Sequence, residues 1–263
     1  MSPSKLRFHR RGEGETLLFL HGFFADRSQW AGLSNTLVEQ GFSCTSVDLP
    51  GHGEASGFKG GWNELLSQID DWVGQQSEAV SLIGYSMGSR ILRRLLLRAG
   101  PALERALLIA PHPGLAPAAA RARRLSDDLL AAQFCSQSKS ANTDYWERLP
   151  VFAGQQRMAA QSLAQQRMMR LGQEPSGLAR SLRELGSGSC VEGGLVTRES
   201  SIELLYGDRQ AVDVGRCERL HKLWPQARKQ RFSACGHNLI LEAPEAVLER
   251  ITAGRLGGRR FTR

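Results

Sequence analysis

The chain has 263 residues, of which 41% are hydrophobic and 23% are charged, and this composition is typical of a globular protein built around one large domain. Its net charge of +8 suggests a polyanion-binding protein, but residues 1–111 and 192–254 are each neutral, so the excess lies in residues 112–191 and 255–263. Because no basic stripe is interleaved with aromatic residues, the sequence argues against nucleic-acid binding.

Short apolar runs alternate with longer amphipathic segments, a pattern typical of parallel strands joined by helical crossovers. This pattern predicts strands at residues 16–20, 43–47, 80–84, 106–110, 201–206 and 229–232. It predicts helices at residues 29–39, 62–75, 86–99, 214–223 and 244–252. The sequence therefore predicts an α/β fold with a doubly wound, mostly parallel sheet, which binds its ligands where the strands end.

Residues 112–191 interrupt this alternation, because no strand candidate appears and Ala, Gln, Arg, Leu and Met dominate the segment. Several short helices inserted between two strands of one sheet are typical of a lid over its carboxyl edge. We therefore expect a core formed by residues 1–111 and 192–254, a helical lid at 112–191 with a flexible return linker at 186–194, and a basic tail at 255–263.

Cysteine usage and hydropathy exclude several classes of protein. The five cysteines are an odd number without C-x-x-C spacing, which argues against a disulfide framework or a bound metal. No apolar run approaches the roughly 20 residues that span a bilayer, and the N-terminal segment lacks the apolar core of a signal peptide. These features predict a cytoplasmic protein without stable membrane insertion, and they leave its oligomeric state open.

The strongest motif is G-x-S-x-G at residues 84–88, between a predicted strand and a predicted helix. This context is that of a nucleophile elbow, in which a tight turn exposes a serine above the edge of the sheet. A serine hydroxyl needs a neighbouring histidine to become a strong nucleophile or base. The sequence therefore indicates Ser86 as the reactive group and His237, on the loop after the final strand, as its partner.

The third member of this triad is ambiguous. The usual G-[DE]-x-D pattern would place the acid three residues after Gly207, where the chain has Gln210. The acid is then Asp213 or Asp208, or the triad lacks one, and the loss of such an acid can cost much of the activity. We favour Asp213.

An oxyanion hole requires two backbone N–H groups that face the developing charge. The residue after the nucleophile, Met87, supplies one of them. The H-G-F sequence that follows the first long strand predicts Phe23 as the second donor.

Together, H-G-F, the D-L-P-G-H-G loop at residues 48–53, the elbow and Gly236-His237 resemble the α/β-hydrolase superfamily over the whole chain. More specific motifs resemble the 2-succinyl-6-hydroxy-2,4-cyclohexadiene-1-carboxylate synthase family of menaquinone or phylloquinone biosynthesis. These motifs are G-Y-S-M-G-S-R at 84–90, P-H-P-G-L at 111–115, R-A-R-R at 121–124, S-D at 126–127, Y-W at 145–146 and L-P-V-F-A at 149–153. Ala116 departs from that family, which has an amide at this position.

The resemblance implies a lyase that eliminates pyruvate from an enolpyruvyl cyclohexene carboxylate without cofactor or metal, with Ser86 as the base. It also implies that the substrate-binding residues are Arg90, Arg124, Arg167, Tyr85 and Trp146. Guanidinium groups suit a polycarboxylate, because they bind carboxylates in a bidentate manner.

Two other functions remain open at this point. The same triad would serve a carboxylic-ester or thioester hydrolase, although a neutral acyl substrate favours an apolar lid. Gln210 keeps open a third possibility, a non-catalytic binding protein whose triad has decayed.

Overall fold

Seven strands form the sheet in the computed structural model, which describes residues 5–101, 103–194, 196 and 200–253. They are β1 (Phe8–Arg11), β2 (Glu15–Leu20), β3 (Phe42–Val47), β4 (Val80–Tyr85), β5 (Leu103–Ile109), β6 (Ser201–Gly207) and β7 (Arg228–Phe232). Their order is β1-β3-β2-β4-β5-β6-β7, and only β1, among these strands, runs antiparallel to its neighbour. The prediction of a mostly parallel, doubly wound sheet is confirmed. The predicted basic tail at 255–263 lies outside the described residues.

The six predicted strands are all present, whereas β1 was not predicted. Its sequence, F-H-R-R, has no apolar run, because this strand lies at the edge of the sheet with its last two residues exposed. The central β4 is buried at every position, which explains its continuous apolar run.

The sheet is covered on both faces by helices. The ten helices among the described residues are α1 (Ala31–Glu39), α2 (Trp62–Gly74), α3 (Met87–Leu96), α4 (Pro117–Ser136), α5 (Lys139–Glu147), α6 (Ala160–Leu171), α7 (Pro175–Leu185), α8 (Ala211–Leu223), α9 (Leu239–Glu242) and α10 (Pro244–Thr252). Predicted helix 29–39 divides into a short 3-10 turn and α1.

Alternate residues of β2 enter two different hydrophobic clusters. Leu17 and Phe19 pack with residues of α1 and α10, whereas Leu18 and Leu20 pack with residues of α2, α3 and α8. Side chains of a strand point to opposite faces in turn, so this one strand contributes to both layers of the core. The two layers fix the sheet, and with it the loops at its carboxyl edge.

The helices α4 to α7 lie between β5 and β6 and form what we call the helical insertion. Phe134, Ala131 and Leu182 of the insertion form a third hydrophobic cluster with Phe24 of the loop after β2. The insertion is therefore seated on the carboxyl edge of the sheet by aromatic and aliphatic contacts.

The segment at residues 186–194 is more ordered than the flexible linker that its glycine and serine content predicts. Ser187, Gly188 and Cys190 are buried, and the Gly188 amide donates to Asp127 Oδ2 over 3.1 Å. A Cβ at Gly188 would lie only 2.6 Å from the backbone nitrogen of Arg124, so α4 approaches this segment closely. Here glycine serves packing against α4.

Within the described part of the chain, no helix combines the length and the apolar character that a membrane crossing requires.

Candidate active site

Ser86 lies in a sharp turn between β4 and α3. Its backbone has φ 50° and ψ −101°, a region that residues with a Cβ rarely adopt. A Cβ at Gly84 would lie 2.5 Å from the carbonyl oxygen of Gly88, and a Cβ at Gly88 would lie 2.0 Å from the carbonyl oxygen of Leu20. Only glycine therefore allows the helix to approach β2 and β4 so closely, which is the local reason for the G-x-S-x-G sequence.

The structure brings Ser86, His237 and Asp213 together in one hydrogen-bonded row. Ser86 Oγ lies 3.0 Å from His237 Nε2, and His237 Nδ1 lies 3.0 Å from Asp213 Oδ2. Asp213 and His237 are both buried, at 2% and 8% relative exposure. A hydroxyl, an imidazole and a carboxylate in this order can transfer a proton from serine to histidine and stabilise the resulting imidazolium.

Asp213, in the first turn of α8, is the carboxylate that contacts the histidine. Burial alone would raise its pKa, but the hydrogen bond and charge of His237, together with Arg216, outweigh burial and hold the pKa below its ordinary value. The first turn of a helix also favours a negative charge. The carboxylate is therefore ionised at neutral pH.

Asp208 lies elsewhere. Its carboxylate is 2.5 Å from Arg231 Nη2 and accepts a hydrogen bond from the Ala234 amide, and the hydrogen bonds from Arg231 and Ala234 hold its pKa below the ordinary value. Gln210, at the usual position of the acid, donates through Nε2 to the carbonyls of Pro150 and Val151 over 3.1 and 2.7 Å. Gln210 thus connects the start of α8 to the helical insertion.

The amides of Phe23 and Met87, the predicted oxyanion donors, differ from the amides beside them in their hydrogen bonding. The amides beside them are bonded within the protein: Gly22 to Gln29, Phe24 to His52 and Gly88 to the carbonyl of His21. Among the described residues we find no such partner for the Phe23 and Met87 amides, which are therefore free to donate to a ligand.

Two buried histidines hold the Phe23 loop. His21 Nδ1 donates to Gly22 O over 2.7 Å, while its Nε2 accepts from the Leu49 amide. His52 Nδ1 donates to Pro50 O, while its Nε2 accepts from the Phe24 amide. Burial lowers the pKa of both imidazoles, which is consistent with neutral rings that each bridge two backbone groups.

A cavity of about 440 Å³ opens above Ser86, between the edge of the sheet and the helical insertion. This volume suits a small-molecule ligand. The residues that line it include Phe23, Tyr85, Ser86, Arg90, His112, Arg123, Ser126, Asp127, Tyr145, Trp146, Phe152, Arg216 and His237. Tyr85 and Trp146 thus lie where the resemblance implies. No group of three or more His, Cys, Asp or Glu side chains in the described ranges could hold a metal ion.

Arg90 is a half-buried cation at the wall of this cavity. It donates to Leu185 O over 3.2 Å, and its Nε is buried without a hydrogen-bond partner. Burial lowers its pKa to about 10, so the guanidinium is still charged at neutral pH. A partly buried cation with an unpartnered donor is well suited to bind an anionic ligand.

The other two arginines that line the cavity, Arg123 and Arg216, were not identified from the sequence. Arg123 Nε lies 2.7 Å from Asp127 Oδ1, and Arg216 Nη1 lies 3.2 Å from Asp213 Oδ1. Both have an acidic residue at helical spacing, a signal that by itself indicates only an exposed ion pair.

Arg124 and Arg167 do not line the cavity. Arg124 is exposed and its Nε donates to Gly188 O over 2.9 Å. Arg167 forms ion pairs of 2.7 Å with Asp144 and with Glu147, which raise its pKa. Both arginines therefore stabilise the helical insertion in this structure.

Neutral His112 lies beneath the arginines, at the junction of β5 and the insertion. Burial and the charges of Arg90, Arg216 and Arg123 lower its pKa to about 2. Its Nδ1 accepts a hydrogen bond from the Gly114 amide, as a neutral imidazole can.

The fold, the sharp turn at Ser86 and the hydrogen-bonded row of Ser86, His237 and Asp213 together define a protein of the alpha/beta hydrolase class. The profile of the alpha/beta hydrolase family matches residues 17–250, so the chain belongs to this family.

Particular relatives share a more specific name. The chain is 32% identical to a 2-succinyl-6-hydroxy-2,4-cyclohexadiene-1-carboxylate synthase of Escherichia fergusonii over 52% of this chain and 55% of the relative. It is 27% identical to the protein of that name in Klebsiella pneumoniae, over 88% and 90% of the two chains. The solved structure of MenH from S. aureus has a TM-score of 0.84 and 24% identity, over 95% of this chain and 97% of that one, and it shows the shared fold.

Proposed function

We propose that the protein is a 2-succinyl-6-hydroxy-2,4-cyclohexadiene-1-carboxylate synthase of menaquinone or phylloquinone biosynthesis. Its substrate is 2-succinyl-5-enolpyruvyl-6-hydroxy-3-cyclohexene-1-carboxylate, from which it eliminates pyruvate. The observation that carries this proposal is the cavity above Ser86, which three guanidinium groups line. The names of the relatives in Escherichia and Klebsiella also support it.

The reaction begins with proton transfer within the row. His237 Nε2 accepts the proton of Ser86 Oγ, and the serine oxygen removes a proton from the substrate ring. The released electron pair forms a new ring double bond, the existing ring double bond moves by one carbon, and the carbon–oxygen bond to the enolpyruvyl group breaks. The departing enolate takes the proton held by the His237 imidazolium and becomes pyruvate, while the ring proton stays on Ser86, so no water enters the products and no redox partner is needed.

Asp213 and the oxyanion amides stabilise the charges that this step creates. Asp213 keeps His237 oriented and offsets the positive charge of the imidazolium. The amides of Phe23 and Met87 donate to the carboxyl or carbonyl oxygen on which negative charge accumulates. These groups are held by the protein backbone before the substrate binds, so they need little rearrangement during the reaction.

The arginines bind the carboxylates of the substrate. Arg90 lies on α3, one turn beyond Ser86, and therefore brings a carboxylate close to the reactive oxygen. Arg123 approaches the same cavity from the helical insertion. A polycarboxylate is thus held from the core and from the insertion at once, with its ring above Ser86.

An ester or thioester hydrolase is the second candidate, because the same row of Ser86, His237 and Asp213 can form an acyl-enzyme. The three charged guanidiniums disfavour a neutral acyl group in this cavity. The third possibility, a decayed triad, depended on Gln210, and Asp213 now provides the carboxylate that Gln210 lacks.

The proposal is tested by following pyruvate release from the enolpyruvyl substrate with the purified protein. We expect turnover by the wild type and a loss of several orders of magnitude in Ser86→Ala. Ser136→Ala, which removes an exposed hydroxyl of α4, is the matched control and should retain most of the activity. Hydrolysis of a simple aryl ester without pyruvate release would instead identify the protein as a hydrolase.

A further inference from the structure

Arg216 has an unusual position, because it contacts the carboxylate of the triad and also lines the cavity. Asp213 lies between two cations: its Oδ2 faces His237 Nδ1 over 3.0 Å, and its Oδ1 faces Arg216 Nη1 over 3.2 Å. The Asp213 side chain is 2% exposed and that of Arg216 is 25% exposed. One end of the guanidinium therefore reaches a buried acid while the rest borders open space.

This arrangement has an electrostatic cost. A positive charge beside Asp213 competes with His237 for the negative charge of the carboxylate, and so makes the imidazolium less stable. Arg216 thus helps to keep Asp213 ionised, but it also weakens the attraction between Asp213 and the imidazolium. The cost is offset if an anion takes over Arg216 when the substrate is bound.

The guanidinium of Arg216 is able to bind such an anion. It has five N–H donors, and among the described residues only its Nη1 is hydrogen-bonded, to Asp213 Oδ1. Arg90 and Arg123 line the same cavity and add positive charge, while Asp127, the acid that lines it with them, is paired with Arg123. The cavity therefore favours a ligand with more than one carboxylate.

We propose that Arg216 binds a substrate carboxylate and couples substrate binding to the triad. The bound carboxylate neutralises Arg216, which leaves the charge of Asp213 available to His237. Asp213 then stabilises the imidazolium of His237 more strongly at the moment when the substrate is in place. This inference depends on the proposed function only for the class of ligand, an anion with at least two carboxylates.

Other titratable groups surround the triad and the cavity. They are Tyr85 at the end of β4, Arg170 of the insertion, Glu242 of α9, and Arg90, Arg123 and His112 around the cavity. Burial raises the pKa of Tyr85 and lowers that of His112, so both side chains stay neutral, and none of these six residues is changed in the variants compared below.

The test follows the imidazole of His237 by NMR in the full-length protein, with succinate as the probe. Without succinate, Arg216→Gln should shift the ring signals of His237, since a neighbouring positive charge is removed. Succinate should shift the ring signals of His237 in the wild type and leave them unchanged in Arg216→Gln. Arg216→Lys keeps a charge without the planar fork and should restore part of the response.

Arg219→Gln is the matched control, because Arg219 is an exposed arginine one turn further along α8. It should respond to succinate as the wild type does. An equal response in Arg216→Gln, or no response in the wild type and in Arg216→Lys, would overturn the proposal.

Pyruvate release separates this inference from the proposed function. Arg216→Gln should raise the KM for the enolpyruvyl substrate about 10- to 100-fold. A succinate response without pyruvate release would overturn the proposed function alone, whereas pyruvate release with an unchanged KM and no succinate response would overturn the role of Arg216.

Discussion

The loops at the carboxyl edge of the sheet and the helical insertion above them hold their functional groups by different means. The buried rings of His21 and His52 each bridge backbone groups of two loops, which fixes the Phe23 amide. The insertion instead presents long side chains such as Arg123, whose side chain is 44% exposed. Changes at the edge of the sheet should therefore affect the chemical step, and changes in the insertion should affect substrate binding.

The largest expected effect concerns the acid of the triad. Asp213→Asn should lower kcat by roughly 1,000- to 10,000-fold, because the amide neither stabilises the imidazolium nor ensures the correct tautomer. Steady-state kinetics of pyruvate release measure this loss.

Asp208→Asn is the matched control for that variant. Asp208 contacts Arg231 and the Ala234 amide, so its substitution should leave kcat within a few-fold of the wild type. A larger loss in Asp208→Asn than in Asp213→Asn would reverse the assignment that the hydrogen bonds support.

The next effect compares arginines of the core and the insertion. Arg90→Ala should lower kcat/KM by an amount that corresponds to roughly 2–4 kcal/mol of transition-state stabilisation, because a substrate carboxylate loses its partner. Arg124→Ala removes one hydrogen bond to Gly188 O, so it should lower the free energy of unfolding by about 1 kcal/mol and change kcat/KM little. An equal loss of kcat/KM in both variants would mean that the insertion rearranges to bring Arg124 into the cavity when substrate binds.

A third prediction concerns His112, where the two regions meet. Its pKa of about 2 in the folded protein lies below the ordinary value of 6.5, so the unfolded chain binds the extra proton as the pH falls through 6.5. Stability is therefore full above pH 6.5 and declines below it, by about 1.4 kcal/mol per pH unit for this one group.

Urea denaturation between pH 7 and pH 5 measures that decline. His112→Asn, which cannot titrate, should show a smaller loss of stability over this range than the wild type. Gln161→Asn is the control, since Gln161 is exposed on α6 and does not titrate, so this variant should follow the wild-type curve. Parallel curves for His112→Asn and the wild type would refute the assignment of a neutral, buried His112.

The smallest effect tests the connection between the two regions. Gln210→Ala removes two hydrogen bonds to the Pro150 and Val151 carbonyls and should lower the free energy of unfolding by about 1 kcal/mol. The KM should rise a few-fold, because Val151 lines the cavity. Gln161→Ala is the control, because Gln161 is an exposed glutamine of α6. An equal decrease in the free energy of unfolding in both variants would show that Gln210 does not stabilise the position of the insertion.

Sequence patterns predicted the sheet and the elbow because burial and tight turns impose strict local requirements. The apolar run of β4 and the glycines at 84 and 88 follow from contacts that only such residues satisfy. The edge strand β1 has no such requirement and was missed. Its pairing with β3 depends on backbone hydrogen bonds, which any sequence can form.

The arginines of the cavity show where sequence reasoning ends. Arg123 and Arg124 are neighbours on α4, but one faces the cavity and the other faces Gly188. Successive helical residues differ by about 100° in direction, so the side that faces the cavity depends on how the helix is docked. That docking is set by distant contacts, such as those of Phe134 with Phe24, which no local pattern encodes.

The position of Asp213 has a consequence for how such sites are found in a sequence. Gln210 precedes α8 and Asp213 lies in its first turn, so the two positions are three residues apart at the start of the helix. The carboxylate beside His237 Nδ1 therefore comes from one helical turn further along the chain, while Gln210 is free to bond the insertion. The acid of such a triad is defined by its place in space, and a search for one fixed spacing along the chain overlooks it.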